Sequence, residues 1–302
     1  MKTLKTHKVR ILITGSNGLL GQKLVERCLK HNIHFLATSK GQNRNSDCDE
    51  HYYQELDIVS SQEIEEVFIR FKPTHVIHTA AITNVDYCEL HPEECKLVNT
   101  NAVQLLLKAA QKFNSHFQLL STDFVFDGEK GNYNEKDKAN PLCHYAQSKV
   151  DAENLLLNNV DYNNWSIVRT IIVYGTGKNL SRSNLICWTI SALKKNEVIK
   201  VVDDQYRAPT WASDLAYACV EICLRNKKGI YHISGPETFS ILEIAQKVAD
   251  FYNLPKENIQ KISSSELNQP AKRPPKTGFD LTKATEELNY HPKTIVETLN
   301  IL

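Results

Sequence analysis

Short apolar runs rich in Val, Ile, Leu and Phe alternate, through the first half of the chain, with stretches in which apolar residues recur every three or four positions. The first rhythm belongs to buried strands and the second to helices with one apolar face. Val9-Arg-Ile-Leu-Ile-Thr14 predicts a strand, and residues 19–31 predict the helix after it. His34 to Ser39 and the shorter Tyr52 to Asp57 predict two more strands. A helix over 61–71 then leads to the strand Thr74-His-Val-Ile-His-Thr79. Residues 93–113 predict one long helix, followed by the strand His116-Phe-Gln-Leu-Leu-Ser121. A helix from about Tyr145 to Leu157 and the strand Ser166-Ile-Val-Arg-Thr-Ile-Ile-Val173 close the series. Strands alternating with helices of this length form right-handed βαβ units. The expected fold class is therefore α/β, a doubly wound parallel sheet with helices on both faces. Such sheets place their ligands, nucleotides above all, at the carboxyl ends of the strands.

Beyond Tyr174 the rhythm loosens. Helices are expected over 183–196, 213–226 and 240–252, a strand from Gly229 to Ser234, and a last short helix near 282–288. A polar, proline-bearing stretch from Ser263 to Lys276 precedes that last helix. The division this suggests is a nucleotide-binding domain over 1–174, to which a segment of about 200–232 returns, and a smaller, mainly substrate-binding lobe over 175–302.

A folded chain of 302 residues buries about three quarters of its extended surface, enough for one large core or two that share a cleft. The balance of 36 Lys and Arg against 35 Asp and Glu, a formal charge of +1, argues against a nucleic-acid partner held by phosphate neutralisation. The apolar runs are strand-sized, far short of the roughly 20 residues that a membrane span needs. Basic Met1–Lys8 is followed by a strand-like run rather than by a signal-peptide apolar region. A cytoplasmic protein with no membrane partner is expected. The eight cysteines include no Cys-x-x-Cys pair, and Cys219 and Cys223 share one face of a helix as small apolar residues. His75 and His78 fall in a strand at an odd separation, which sends them to opposite faces. Reduced thiols and no metal site are expected.

The first predicted strand runs into Thr14-Gly15-Ser-Asn-Gly18-Leu-Leu-Gly21 and then into a helix. Gly15 permits the tight turn, Gly18 lets backbone approach a pyrophosphate, and Gly21 lets the helix pack on the strand. With Asn17, Leu19 and Leu20 they would bring a dinucleotide's phosphates to the positive helix N-terminus. The spacing is G-x-x-G-x-x-G rather than the commoner G-x-G-x-x-G. At the tip of the second strand, where an NAD site usually offers an acid, the chain has Ser39 and Lys40, with Arg44 beyond. A hydroxyl and a cation suit a 2′-phosphate, so NADPH is the expected cofactor and NADH the alternative. Asp57, beside Ile58, is placed to accept a hydrogen bond from the adenine amino group.

Tyr145-Ala-Gln-Ser-Lys149 sets a phenol and an ammonium one helical turn apart. The positive charge is expected to lower the phenol pKa, giving a proton donor for a carbonyl oxygen as hydride reaches its carbon. Thr122, at the end of the central strand, would hold that oxygen in line with Tyr145. Asn99 is expected to anchor a water that relays protons to Lys149. In the basic segment from Lys261 to Lys276, Arg273 is expected to clamp a diphosphate, because a guanidinium pairs bidentately with phosphate oxygens.

On these residues the sequence resembles the extended short-chain dehydrogenase/reductase superfamily: Gly15, Gly18 and Gly21, then Thr79-Ala80-Ala81, Asn99, Thr122, Tyr145 and Lys149. Within it, the chain resembles the dTDP-4-dehydrorhamnose reductases. Ser121-Thr-Asp-Phe-Val-Phe-Asp-Gly128 is close to their STDYVFDG signature. Arg169-Thr170 before Val173-Tyr174-Gly175, Asp204-Gln205 with Ala208-Pro209-Thr210, Asp214-Leu215-Ala216 and Arg273-Pro274 extend the match over nearly the whole chain. The resemblance implies a Rossmann-type fold and hydride transfer to the C4 keto group of a nucleotide-linked 6-deoxy sugar. It implies Tyr145 as proton donor, Lys149 as its tuner and a ribose ligand, and Thr122 as carbonyl orienter. Thr79, Ala80 and Ala81 would lie along the cofactor. Thr83, Asn84, Val85 and Asp86 would face the sugar, together with Asp123, Phe124 and Ile172. A homodimer is in keeping with the family.

Phe124 stands where that family has Tyr, and Ile171-Ile172 where it has Ser-Trp. Both changes reshape the pocket and leave open which sugar nucleotide it takes. Asp123-Phe124 after Thr122 departs from the Asp-Glu of nucleotide-sugar 4,6-dehydratases and from the cysteine of fucose-synthase-type enzymes. The resemblance extends to the regulatory β subunit of methionine adenosyltransferase, a binding partner rather than an enzyme. Intact Thr122, Tyr145 and Lys149 favour the enzyme.

Overall fold

In the computed structural model, which describes residues 9–302, the alternation becomes a seven-stranded, fully parallel sheet. The basic segment Met1–Lys8 lies outside the described residues. β1 (Arg10–Thr14), α1 (Leu19–Lys30), β2 (His34–Ser39) and β3 (Tyr53–Glu55) build one side. α2 (Ser61–Phe71) carries the chain back to β4 (His75–His78), on the other flank of β1. After α3 (Val85–Leu90), α4 (Pro92–Lys96) and α5 (Ala102–Lys112) comes β5 (His116–Thr122), and after α6 (His144–Leu157) comes β6 (Trp165–Thr170).

The rest of the chain leaves the sheet and returns. β7 (Val173–Tyr174), α7 (Leu185–Lys194), β8 (Ile199–Val202), β9 (Tyr206–Arg207) and β10 (Thr210–Trp211) lie outside it, whereas α8 (Ala212–Leu224) packs on it and β11 (Gly229–Ile233) completes its edge. β12 (Phe239–Ser240), α9 (Ile241–Tyr252), β13 (Ile259–Ile262), α10 (Thr282–Leu288) and α11 (Ile295–Leu299) follow. The sheet order is β11-β6-β5-β4-β1-β2-β3. It reverses between β1 and β4, which opens a crevice beyond the carboxyl ends of those strands.

The two-residue period of β1 explains the two cores. Ile11 and Ile13 pack among Leu24 and Cys28 of α1, Leu215 and Cys219 of α8 and Leu288 of α10. Leu12 faces the other way, onto Val67 of α2, Leu106 of α5 and Leu156 of α6. Both faces of the sheet are covered, so its strands read as nearly continuous apolar runs. Cys219 and Cys223 are fully buried in the first core, where burial pushes both thiols up.

Three expectations change. The helix predicted over 93–113 is interrupted by a π-turn at Leu97–Asn101, and π-turns gather at functional positions. The strand predicted over 166–173 stops at Thr170, and β7 pairs with β10 instead of continuing the sheet. The returning segment is shifted: β8 pairs with β13 and β9 with β12 away from the sheet, while α8, β11 and also α10 join the sheet's core. The elements not foreseen, α3, β8, β9, β10, β12, β13 and α11, have two to six residues each, too few for a period to register.

Candidate active site

The carboxyl ends of β1, β2, β4, β5 and β6 border one cleft of about 960 Å³. Of the residues singled out from sequence, Gly15, Asn17, Gly18, Leu19, Leu20, Gly21, Ser39, Lys40, Asp57, Ile58, Thr79, Ala80, Ala81, Thr83, Val85, Thr122, Asp123, Phe124, Tyr145, Lys149 and Ile172 line it. Asn84, Asp86, Asn99 and Arg273 do not.

The glycine loop is dictated by close approach. Gly15 has φ +73°, and a Cβ there would sit 2.7 Å from the Ala80 nitrogen and 2.8 Å from Thr79 Oγ1. Thr79 in turn donates from Oγ1 to the Thr14 carbonyl at 2.7 Å, stitching the residue after β4 to the end of β1. A Cβ on Gly18 would meet only the Gly15 carbonyl, at 3.3 Å, so the space beside it is open. Ser121 Oγ, at the cleft, is buried without a partner. An open cradle at a helix N-terminus, a spare hydroxyl and cations at the β2 tip fit a phosphorylated dinucleotide.

At that tip Lys40 pairs with Asp57 at 2.8 Å, which holds the Asp57 carboxyl below its usual range against the opposing effect of burial. Asn17 has a role the motif did not announce. Its amide donates to the Gln42 carbonyl at 2.9 Å and accepts from the Arg44 N–H at 2.8 Å, fastening the glycine loop to the segment that carries Arg44.

Tyr145 is buried in the lining of the cleft, and its ring meets Phe124 edge-on at 6.0 Å. The expectation of a lowered phenol pKa is overturned. Burial raises it, and the nearby Thr122 hydroxyl only partly opposes that rise. The phenol therefore holds its proton at neutral pH. Lys149 carries the perturbation instead: burial lowers its ammonium from 10.5 to about 8, against the attraction of Glu153 and Cys95. His78 lies close enough for burial and the Lys149 charge together to push it to about 3, so it is neutral as it shares a hydrogen bond with Thr14 Oγ1 at 2.7 Å.

Asn99 is buried beside the cleft rather than lining it. Its Oδ1 accepts from the Ile82 N–H at 2.8 Å, and its Nδ2 donates to the Ile82 carbonyl at 3.0 Å and to Ser148 Oγ at 3.1 Å. The side chain pins the loop after β4 to α6, beside Lys149, and leaves no donor over for a relaying water.

On the other side of the cleft, Asp123 borders the cavity with its carboxylate committed inward. Oδ1 accepts from Thr122 Oγ1 at 3.1 Å, Oδ2 accepts from Thr277 Oγ1 at 2.5 Å, and the buried Arg207 lies 3.7 Å away. It orients Thr122 and anchors the C-terminal segment rather than facing a sugar. Arg273 stands outside the lining of the cleft. Its guanidinium pairs bidentately with Asp86, at 3.1 and 2.7 Å, and so latches that segment to the first turn of α3. A carboxylate already holds the fork that a diphosphate was expected to fill.

Arg182 carries no signal in the sequence. It lines the cleft and donates from Nη2 to Thr83 Oγ1. Its loop is gripped from below by Gln22, whose side-chain amide makes two 2.7 Å bonds with the Lys178 backbone. The loop has neither a period nor a motif by which it could be found. Among the described residues no group of three or more His, Cys, Asp or Glu side chains is arranged to hold a metal, and no helix is long and apolar enough to cross a membrane.

Comparison with known proteins adds to the geometry. The family model described as the RmlD substrate binding domain matches residues 9–301. A dTDP-4-dehydrorhamnose reductase of Aggregatibacter actinomycetemcomitans is 33% identical, with 94% of each chain covered. The methionine adenosyltransferase 2 subunit beta of Bos taurus is 28% identical over 91% of this chain and 81% of its own. Among solved structures, the dTDP-4-dehydrorhamnose reductase of Bacillus anthracis in complex with NADP superposes with a TM-score of 0.83 at 26% identity, covering 97% of this chain and 98% of its own.

Proposed function

The chain belongs to the RmlD substrate binding domain family, and from that membership and the geometry of the cleft we propose that it is an NADPH-dependent reductase of the C4 keto group on a dTDP-linked 6-deoxy sugar. The observation that carries this reading is the meeting of Thr122, Tyr145 and Lys149 at the carboxyl edge of the sheet, in one cleft with the glycine loop. A bound NADPH supplies the hydride. The backbone of Gly15 to Gly21 would hold its pyrophosphate, Ser39, Lys40 and Arg44 its 2′-phosphate, and Lys149 its ribose. Thr122 Oγ1 would turn its proton from Asp123 to the substrate's C4 oxygen and so fix it, and Tyr145 Oη gives that oxygen a proton as negative charge develops on it. The Lys149 ammonium stabilises the phenolate that remains. Such an enzyme works in the cytoplasm, where NADPH and nucleotide sugars are drawn on.

The test is NADPH oxidation with enzymatically generated dTDP-4-dehydrorhamnose. Turnover is expected, and kcat/KM should fall as pH rises above about 8, where Lys149 loses its proton and the phenolate its stabilising charge. A profile flat through that region would show that the Lys149 charge does not support the phenolate. Absence of turnover on any sugar nucleotide, with NADPH bound tightly, would favour a binding subunit like the methionine adenosyltransferase relatives.

The diphosphate subsite is assigned to Arg182, because the cleft's other cations sit at the cofactor tip or beside Tyr145. Arg182→Ala is expected to raise the KM for the sugar nucleotide about tenfold, the order of one charge-assisted contact, with NADPH affinity unchanged. Arg273→Ala should instead lower the thermal midpoint by unlatching Asp86. The reverse pattern would return the diphosphate to Arg273.

A further inference from the structure

Between β6 and β7 the chain turns out of the central sheet at Ile171 and Ile172. Ile172 has φ +30°. Of the eleven non-glycine residues with positive φ among the described residues, nine are asparagine, which tolerates that region, and one is Lys72. Ile172 alone is β-branched, and it lines the cleft. A strained residue persists where its surroundings over-determine it.

The surroundings are those of one fully buried side chain. The Thr210 N–H donates to the carbonyls of Ile171 and Ile172, both at 3.1 Å. Its hydroxyl donates to the Ile171 carbonyl at 2.6 Å and accepts from Thr170 Oγ1 at 3.1 Å and from the Ile171 N–H at 3.4 Å. One donor and two lone pairs are the full capacity of a hydroxyl, and all of it is spent on the turn that ends in Ile172. β10, which begins with Thr210, then pairs in parallel with β7 immediately after the turn.

We propose that Thr210 is a positioning residue that clamps Ile172 in its left-handed conformation, so that the Ile172 side chain forms a fixed apolar wall against the sugar of the substrate. This rests on the reductase reading above. An apolar wall discriminates by shape alone, so its backbone has to be held. Ile172 follows two residues after Thr170, the register partner of Thr122, which places the wall beside the group that meets the substrate's C4 oxygen rather than beside the glycine loop.

The experiment is a double-mutant cycle on the full chain, with KM for dTDP-4-dehydrorhamnose, kcat and NADPH affinity measured for each variant. Thr210→Val is expected to raise the sugar-nucleotide KM about tenfold and leave NADPH affinity unchanged. Thr210→Ser, which keeps the hydroxyl, should stay within about twofold of the parent. Ile172→Gly accepts positive φ but deletes the wall, so it should raise KM to a similar degree. Adding Thr210→Val to it should then change KM by no more than about twofold. If valine prevents folding, Thr210→Ala removes the same hydroxyl and completes the same cycle. Equal effects of the Thr210 change with and without Ile172→Gly would overturn the inference, as would a Thr210→Val enzyme with the parent's KM. A parent chain that neither turns over nor binds the sugar nucleotide overturns the reductase reading and this inference together, and that result is distinct from the other two.

Discussion

Tyr145→Phe is expected to reduce kcat by about a thousandfold, in the middle of the range for losing a positioned general acid, with NADPH affinity within about twofold of the parent. The substitution removes one oxygen and little else. The ring is buried among Cys143, Ala146 and Ala271 and meets Phe124 edge-on, and phenylalanine keeps those contacts. Burial holds the phenol in its protonated form, so at neutral pH the oxygen being deleted is a donor and not a phenolate. Thr122 cannot replace it, because an aliphatic hydroxyl is a far weaker acid than a phenol. Lys149 could give up a proton from an ammonium lowered to about 8. A loss of tenfold or less would transfer the donor's role to Lys149, and the variant's pH profile would then steepen around that value.

The fold was legible wherever burial on both faces of a strand wrote a continuous apolar run, as in Ile11-Leu12-Ile13, or where a helix kept one apolar stripe, as in α2. The cleft was legible because glycine leaves a mark that no other residue does. A Cβ at 15 would collide with the Ala80 backbone, so the residue type records the contact. What stayed hidden depends on pairings across long stretches of chain. Arg273 looks like a free cation in its basic, proline-bearing loop, and its partner Asp86 is 187 positions away. Asn99 looks like a polar residue free for water, and its partners lie in the loop after β4 and in α6. The strand predicted through Val173 ends at Thr170 for the same reason, since Thr210 holds Ile171 out of the sheet from 39 positions away. The sign of the Tyr145 shift is hidden too, because a neighbouring charge can be read from spacing, whereas the depth of burial cannot.

Glu153→Gln is expected to cost about 3–5 kcal/mol of stability, the usual result of removing one partner from a buried ion pair, and to lower the unfolding midpoint by on the order of 10 °C. Glu153 and Arg169 are side by side behind Lys149, nearly inaccessible, with two bonds of 3.0 and 2.6 Å between them. Arg169 also lies 5.1 Å from the centre of the Phe126 ring and 3.4 Å from neutral His232. Neutralising Glu153 leaves that guanidinium in the core with no anion to balance it. The same carboxylate raises the pKa of Lys149, so its loss lowers the ammonium further below about 8 and moves the alkaline fall of kcat/KM to lower pH. Lys149 itself costs stability while its folded pKa is depressed. That cost is present in full below about 8 and fades as pH rises toward 10.5, where the unfolded chain too releases the proton. Replacing the pair together, as Glu153→Leu with Arg169→Met, should recover most of the stability, since a well-packed apolar pair avoids the desolvation of two charges. The alkaline fall should stay displaced, because the charge acting on Lys149 is still gone. Calorimetry and a pH–rate profile on the single and double variants separate the two roles. Recovery of both by the double variant would mean that Glu153 serves the fold alone.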